Sequence, residues 1–235
     1  MIEINGLTKK FGALTAVNDV SLSINDKECF ALLGLNGAGK TTLINMLSTQ
    51  MLPTSGSANI YGYDLIKDAE TIKNIVNISP QVSAVAKNLT VKENLELIAE
   101  LYGIEDNTKI DSILKEFGLT EKSKVFAKNL SGGQLRRLSI ALAIITEPKV
   151  LFLDEPTLGL DVKARKLLWR EIEKLKEKST IILTTHYLEE VESLADKVAI
   201  ISKGKIKVVG TVDEIKTQTK TNSLEDAFIN LTEED

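Results

Sequence analysis

Eight consecutive residues constrain this chain more than any others: Gly34, Leu35, Asn36, Gly37, Ala38, Gly39, Lys40 and Thr41. They match G-x-x-x-x-G-K-[ST] at each fixed position. The three glycines let the backbone bend so that several N–H groups point into one concavity. A helix is expected from about Lys40, and its N-terminus adds partial positive charge at the same spot. The result is a cradle for polyphosphate, in which the Lys40 ammonium reaches the terminal phosphates and the Thr41 hydroxyl is placed to hold Mg²⁺. Such a loop needs a strand before it and a helix after it. Cys29–Leu33 is an apolar run of strand length, and Thr42 opens a run through Leu43, Ile44 and Leu47 that reads as a buried helix. A dinucleotide fingerprint G-x-G-x-x-G does not fit, because Thr42 stands where its last glycine is needed.

Around this loop the hydrophobic pattern changes type along the chain. Residues 1–35 read as strands, with Val20, Leu22 and Ile24 alternating with polar neighbours. A Ser55–Gly56 turn is expected before a strand at Ala58–Tyr61, and Ile75–Ile78 reads as another short strand. From about Leu89 to Thr146 the pattern is helical. Thr90 and Glu93 form a capping box, Leu95, Ile98 and Tyr102 share one face, and Gly103 is a fitting stop. Ile110, Ile113, Leu114 and Phe117 make a second amphipathic helix ended by Gly118. Ser131 is expected to cap a third, running to about Ile145. After Pro148 strands return as the apolar runs Val150–Leu153, Thr180–Thr184 and Val198–Ile201. Leu168, Ile172 and Leu175 repeat at helical spacing between the first two. Strand, helix and strand in this order imply right-handed crossovers and a parallel sheet. The expected fold class is α/β: a P-loop NTPase core with a mainly parallel sheet, N-terminal antiparallel strands and an inserted helical subdomain. The expected organisation is a single domain over 1–235, with core 1–86 and 148–210, helical insert 87–147 and C-terminal tail 211–235.

The net charge of −4, from 33 acidic and 29 basic residues, offers no basic face, so a nucleic-acid partner is not expected. The single cysteine, Cys29, cannot staple the fold; it reads as a small core residue in a reducing compartment. The N-terminal residues do not read as a signal peptide, and no window approaches the ~18 apolar residues of a membrane span. The chain is expected to be soluble by itself yet able to sit on a membrane protein.

Further residues gather, in this reading, around the phosphate loop. Asp154 and Glu155 end the run Val150–Leu153, and open α/β sheets bind ligands at the carboxyl ends of their strands. Asp154 is a candidate Mg²⁺ ligand, and Glu155 a candidate acceptor of a proton from an attacking water. Gln81, after Ser79 and Pro80, carries an amide that can touch Mg²⁺ or that water without cancelling charge. His186, the only histidine, follows the run to Thr184 and can donate a hydrogen bond to the γ-phosphate or to the water. Ser131, Gly132, Gly133 and Gln134 open a helix with two poor helix formers. That points either to a second anion-binding helix N-terminus or to a plain serine cap. Phe11 either stacks on adenine or packs in the core. The apolar stretch Val82–Ala86 either lines a groove for a short helix of a membrane subunit or folds onto the helical insert.

Taken together, from about Ile2 to Gly210, the chain resembles the nucleotide-binding subunits of ATP-binding-cassette (ABC) transporters, with the family's motifs in the family's order. Leu130–Gln134 resembles the signature that defines that family, Gln81 its glutamine loop, and Asp154 and Glu155 its Mg²⁺ aspartate and catalytic glutamate. Gly159, Leu160 and Asp161 look like the loop that contacts the partner subunit, and His186 like the switch histidine. Phe11 stands where a tyrosine is common, and Leu158 where a small polar residue is frequent. Asn88–Asn94 and Leu224–Phe228 look most like the ABC-2 export type. The resemblance implies ATP and Mg²⁺ as cofactors, ATP hydrolysis powering export through a separate membrane-spanning permease subunit, and a peripheral position on the cytoplasmic face of the cell membrane. It also implies a second ABC domain, identical or a paralogue, closing head-to-tail so that Ser131 and Gly133 of one copy cover the ATP held by Lys40 of the other. Two other readings are a soluble relative acting on DNA or ribosomes and a regulatory module without turnover. The acidic charge speaks against the first, and the presence of Glu155 and His186 against the second.

Overall fold

The computed structural model describes residues 1–233; residues 234–235 of the expected tail lie outside the described residues. In chain order the elements begin with β1 (Ile2–Phe11), β2 (Leu14–Ile24), β3 (Cys29–Leu33), α1 (Lys40–Leu47), β4 (Ser55–Ile60), β5 (Tyr63–Asp64), α2 (Ala69–Lys73) and β6 (Val76–Ser79). Two helices follow, α3 (Val91–Leu101) and α4 (Asn107–Glu116), then two short 3₁₀ turns and α5 (Gly132–Ile144). The rest is β7 (Val150–Asp154), α6 (Val162–Leu175), β8 (Thr180–Thr185), α7 (Leu188–Leu194), β9 (Lys197–Ser202), β10 (Lys205–Gly210), α8 (Val212–Thr219) and α9 (Leu224–Glu233).

The central sheet has the order β10-β9-β3-β8-β7-β6. All its pairings are parallel except β10 on β9. A second, antiparallel sheet runs β2-β1-β4-β5. The fold is therefore α/β with a mainly parallel sheet and N-terminal antiparallel strands, as the sequence predicts. The unbroken apolar runs have a plain cause. In β3, Ala31 and Leu33 join a core shared with α3–α7, whereas Phe30 and Leu32 join a core shared with α1 and the antiparallel sheet. Alternate residues face different layers, both covered, so apolar residues fill both faces of the strand. Gly34 ends this strand where any Cβ would lie 2.4 Å from the Ile201 carbonyl oxygen.

Two expectations need correction. Ser55 and Gly56 are not a turn; they start β4, with Ser55 opposite Thr8 across an irregularity in register. Gly56 has φ 84°, and a Cβ there would meet the Gly6 carbonyl oxygen at 2.3 Å, so the glycine serves a close crossing of two strands. Tyr102 does not share the buried face of α3, whose buried residues are Val91, Asn94, Leu95 and Ala99; it is the exposed C-cap, where the helix turns away. Val82–Ala86 divides between its two readings: Val85 packs on the core that includes α3–α5, while Val82 is 82% exposed. Thr90 and Glu93 do form a capping box. Among the described residues no helix is long and apolar enough to cross a membrane.

Candidate nucleotide site

β3, β7 and β8 lie side by side and end at the same edge, and the loops leaving them build the site. The glycine loop is held in conformations that L-residues avoid: Gly37 has φ 83° and Gly39 φ 105°. A Cβ on Gly39 would come within 2.4 Å of the Ala16 carbonyl oxygen. α1 starts at Lys40 with Gly39 as N-cap and no side-chain cap, so its first N–H groups are left to the loop's interior. The Lys40 ammonium, 5% exposed, turns back into the cradle. It donates to the carbonyls of Gly34 (2.6 Å) and Leu35 (3.2 Å) and pairs with Glu155 Oε1 at 3.2 Å.

Asp154 and Glu155 do separate work because the backbone twists between them. Asp154 ends β7; its carboxylate accepts from the Thr184 hydroxyl (2.5 Å) and the Thr41 hydroxyl (3.1 and 3.2 Å). Glu155 has left-handed backbone, φ 47°, which costs a non-glycine residue about 1 kcal/mol or more. That twist is held by Thr184, whose carbonyl and hydroxyl accept from the Glu155 N–H at 3.2 and 3.0 Å. The Glu155 side chain therefore turns to the other side, with Oε2 2.7 Å from His186 Nδ1. His186 stacks at a tilt on Tyr187, with ring centroids 4.1 Å apart. Lys40, Glu155 and His186 thus form one continuous polar chain.

A cleft of about 430 Å³ opens over Lys40 and Glu155, lined also by Phe11, Leu14, Ala16, Asn36–Gly39, Thr41, Thr42 and Gln81; His186 does not line it and reaches it only through Glu155. Phe11 is not in the core; its ring is 46% exposed, with the Lys9 ammonium 5.2 Å from its centroid. Leu35 is exposed and does not line the cleft. Ser131, Gly132, Gly133 and Gln134 do not line the cleft. Ser131 caps α5 in a capping box: its hydroxyl accepts from the Gln134 N–H (3.3 Å) and its N–H donates to Gln134 Oε1 (3.0 Å). Ser131 and Gly132 are exposed, and a Cβ on Gly132 would meet nothing within 4 Å. This N-terminus is thus a serine cap in its own chain and faces open space.

The residues fit both a nucleotide and Mg²⁺. The cradle offers main-chain N–H groups and one ammonium, the donors a polyphosphate needs. Thr41, Asp154 and Gln81 offer only oxygen donors to a metal. Among the described residues no group of three or more His, Cys, Asp or Glu side chains stands ready to cage an ion. One carboxylate and two neutral oxygens are a donor set that suits Mg²⁺, which takes one or two carboxylates and completes its shell with phosphate oxygens and water.

Sequence reasoning missed two residues that hold the site together. By sequence Thr184 is only the end of an apolar strand, yet it orients both acidic residues. Arg136 is buried in α5 and donates to the carbonyls of Asp154, Pro156 and Pro80. Its signal was a charge on the buried stripe that continues through Ser139, Ile140 and Ala143.

A family profile described as "ABC transporter" matches residues 17–158. The chain is 36% identical over 222 residues to the Daunorubicin resistance ATP-binding protein DrrA3 of Streptomyces coeruleorubidus, covering 93% of this chain and 70% of that protein. It is 42% identical over 217 residues to ABC transporter A family member 6 of Dictyostelium discoideum, covering 89% of this chain and 13% of that much longer protein. A solved structure described as the ATP binding subunit of an ABC transporter superposes with a TM-score of 0.87 at 32% identity, covering 98% of this chain and 99% of that one.

Proposed function

The chain belongs to the ABC transporter family, and from that premise we propose how its residues divide the work. It is an ATP-binding and ATP-hydrolysing subunit of the export type, which powers transport through a separate membrane-spanning subunit. In our reading the main-chain N–H groups of residues 36–41 and the Lys40 ammonium hold and orient the ATP phosphates, with Thr42 beside them. Phe11 stacks on the adenine. Thr41, Asp154 and Gln81 hold Mg²⁺, which when bound neutralises charge building on the transferring phosphoryl group. Water attacks the γ-phosphorus in line with the bond to the leaving β-phosphate oxygen, and its proton goes to Glu155. His186 keeps that carboxylate facing the water, and Lys40 offsets the developing negative charge.

ATPases of this family work in pairs with membrane permease subunits. For this chain we propose a head-to-tail pair, identical or paralogous, in which Ser131, Gly132, Gly133 and Gln134 of one copy complete the nucleotide site of the other. The exposed Ser131–Gly132 N-terminus, which does not line its own cleft, supports that reading. In the same reading the chain is one ABC ATPase domain, with core 1–86 and 148–210, helical insert 87–147 and tail 211–235. The pair would sit on the cytoplasmic face of the membrane, with Val82 turned to the permease, and bind no nucleic acid.

The observation that carries the catalytic assignment is the chain Lys40–Glu155–His186, with contacts of 3.2 and 2.7 Å. Glu155→Gln keeps the shape and removes the proton acceptor. Steady-state hydrolysis should fall by at least about 100-fold while ATP affinity stays within a few-fold of wild type. Hydrolysis at the wild-type rate would strip Glu155 of the role.

A further inference from the structure

Arg136 lies in α5, five residues after Ser131. Its guanidinium, 5% exposed, donates to three main-chain carbonyls: Nη1 to Pro80 at 2.5 Å, Nη2 to Asp154 at 2.8 Å and Nε to Pro156 at 2.9 Å. Burial pulls its pKa down to about 10, against the pull of Asp154, Glu190 and Glu155, so it stays charged at neutral pH.

The identity of the three acceptors matters. Pro80 immediately precedes Gln81. Asp154 and Pro156 flank Glu155, whose left-handed backbone must be held by its surroundings. A guanidinium is a rigid fork of donors, so a single side chain fixes three carbonyls relative to one another. One turn further along, the Ser139 hydroxyl lies 2.9 Å from the Ser79 hydroxyl, tying the same helix face to the strand that leads into Gln81. α5 therefore cannot tilt without dragging both loops or breaking these bonds. Its other end is the exposed N-terminus at Ser131.

We propose that Arg136 is a positioning residue that links the two ATP sites of the paired assembly: when the Ser131 end of α5 engages the nucleotide held by the partner copy, Arg136 carries the displacement to Gln81 and Glu155 of its own copy. This rests on the head-to-tail pairing read above. Arg136 touches neither nucleotide, and it acts only through the main chain of the two loops.

The test uses the transporter complex purified from membranes through a tag on this chain. Arg136→Met keeps the length of the side chain and removes every donor. It should lower the Hill coefficient of ATP hydrolysis from about 2 towards about 1. It should also raise the half-saturating Mg²⁺ concentration roughly fivefold, because Gln81 and Asp154 lose their common anchor. Metal-free ATP binding to the separate chain should change by less than about twofold. A purely structural role would lower stability and maximal rate but leave the Hill coefficient and the Mg²⁺ requirement alone. Arg136→Lys, which keeps the charge and reaches fewer carbonyls, should fall between the two. Wild-type cooperativity and Mg²⁺ dependence in a folded Arg136→Met would overturn the proposal. Should that variant not fold, the same values in Arg136→Lys decide it. ATP-dependent pairing of the Glu155→Gln chain, read by gel filtration, keeps the two ideas apart. Without pairing, the assembly itself is wrong; with pairing and unchanged cooperativity in the Arg136 variants, only the link is wrong.

Discussion

Gly37 and Gly39 are two residues apart, both left-handed, and the structure asks different things of them. At Gly37 (φ 83°) an added Cβ meets nothing within 4 Å, whereas at Gly39 (φ 105°) it strikes the Ala16 carbonyl oxygen at 2.4 Å. Gly37→Ala should therefore cost only the backbone strain, about 1 kcal/mol. Gly39→Ala must also push the loop from β2 and should cost on the order of 2–4 kcal/mol, with a larger loss of ATP affinity. Urea unfolding and nucleotide titration of the two variants check the ranking; equal costs would mean that the Ala16 contact does not confine the loop. At this scale much of the site was legible in the sequence. Glycine spacing marks the loop, and acidic residues after an apolar strand mark its far wall. Thr184 and Arg136 were not legible. Both act by holding main-chain atoms of residues distant in sequence, a role no local pattern encodes.

Between elements, the junction of α4, α5 and α6 holds a carboxyl whose burial makes it pH-sensitive. Glu171 of α6 is 9% exposed, and its Oε2 has no hydrogen-bond partner. Arg137 of α5 stands 3.8 Å away while it donates to the Phe117 carbonyl at 2.9 Å. Burial raises the Glu171 pKa from 4.5 to about 7; Arg137 and Lys174 oppose the shift, and Glu116 adds to it. A raised carboxyl pKa means that the folded chain binds the proton more tightly than the unfolded chain. The associated stability is full below the unfolded value of 4.5 and is lost as pH rises towards about 7. Glu171→Gln has no proton to lose. Its stability relative to wild type should rise by on the order of 2 kcal/mol between about pH 5 and about pH 8. Parallel pH–stability profiles by urea unfolding would show that Glu171 is not strained by burial. The same junction explains what periodicity could and could not reveal about elements. The α3 capping box and the α5 serine cap are local and were read from their residues. Tyr102, judged by helical spacing, was misplaced because the helix ends at Leu101 and the C-cap departs from the face. Ser55–Gly56 looked like a turn because glycine there serves a close strand crossing, which sequence cannot distinguish from a bend.

Across the whole molecule, the parallel sheet gathers at one edge what the chain spreads from Phe11 to His186. Its buried strands were readable because strands covered on both faces advertise themselves as unbroken apolar runs, whereas their order in the sheet was not. The antiparallel sheet was readable by its alternation. The assembly was not readable from physical pattern, since an exposed helix N-terminus such as Ser131–Gly132 means nothing until a second copy is considered. The account rests on main-chain N–H groups and Lys40 gripping phosphate at that edge. Calorimetric titration of ATP, with Mg²⁺, into the purified chain and into Lys40→Ala tests this most directly. The account predicts saturable binding to the wild-type chain and binding at least about tenfold weaker to the variant. Equal affinity in the two, or no binding by the wild-type chain, would contradict it.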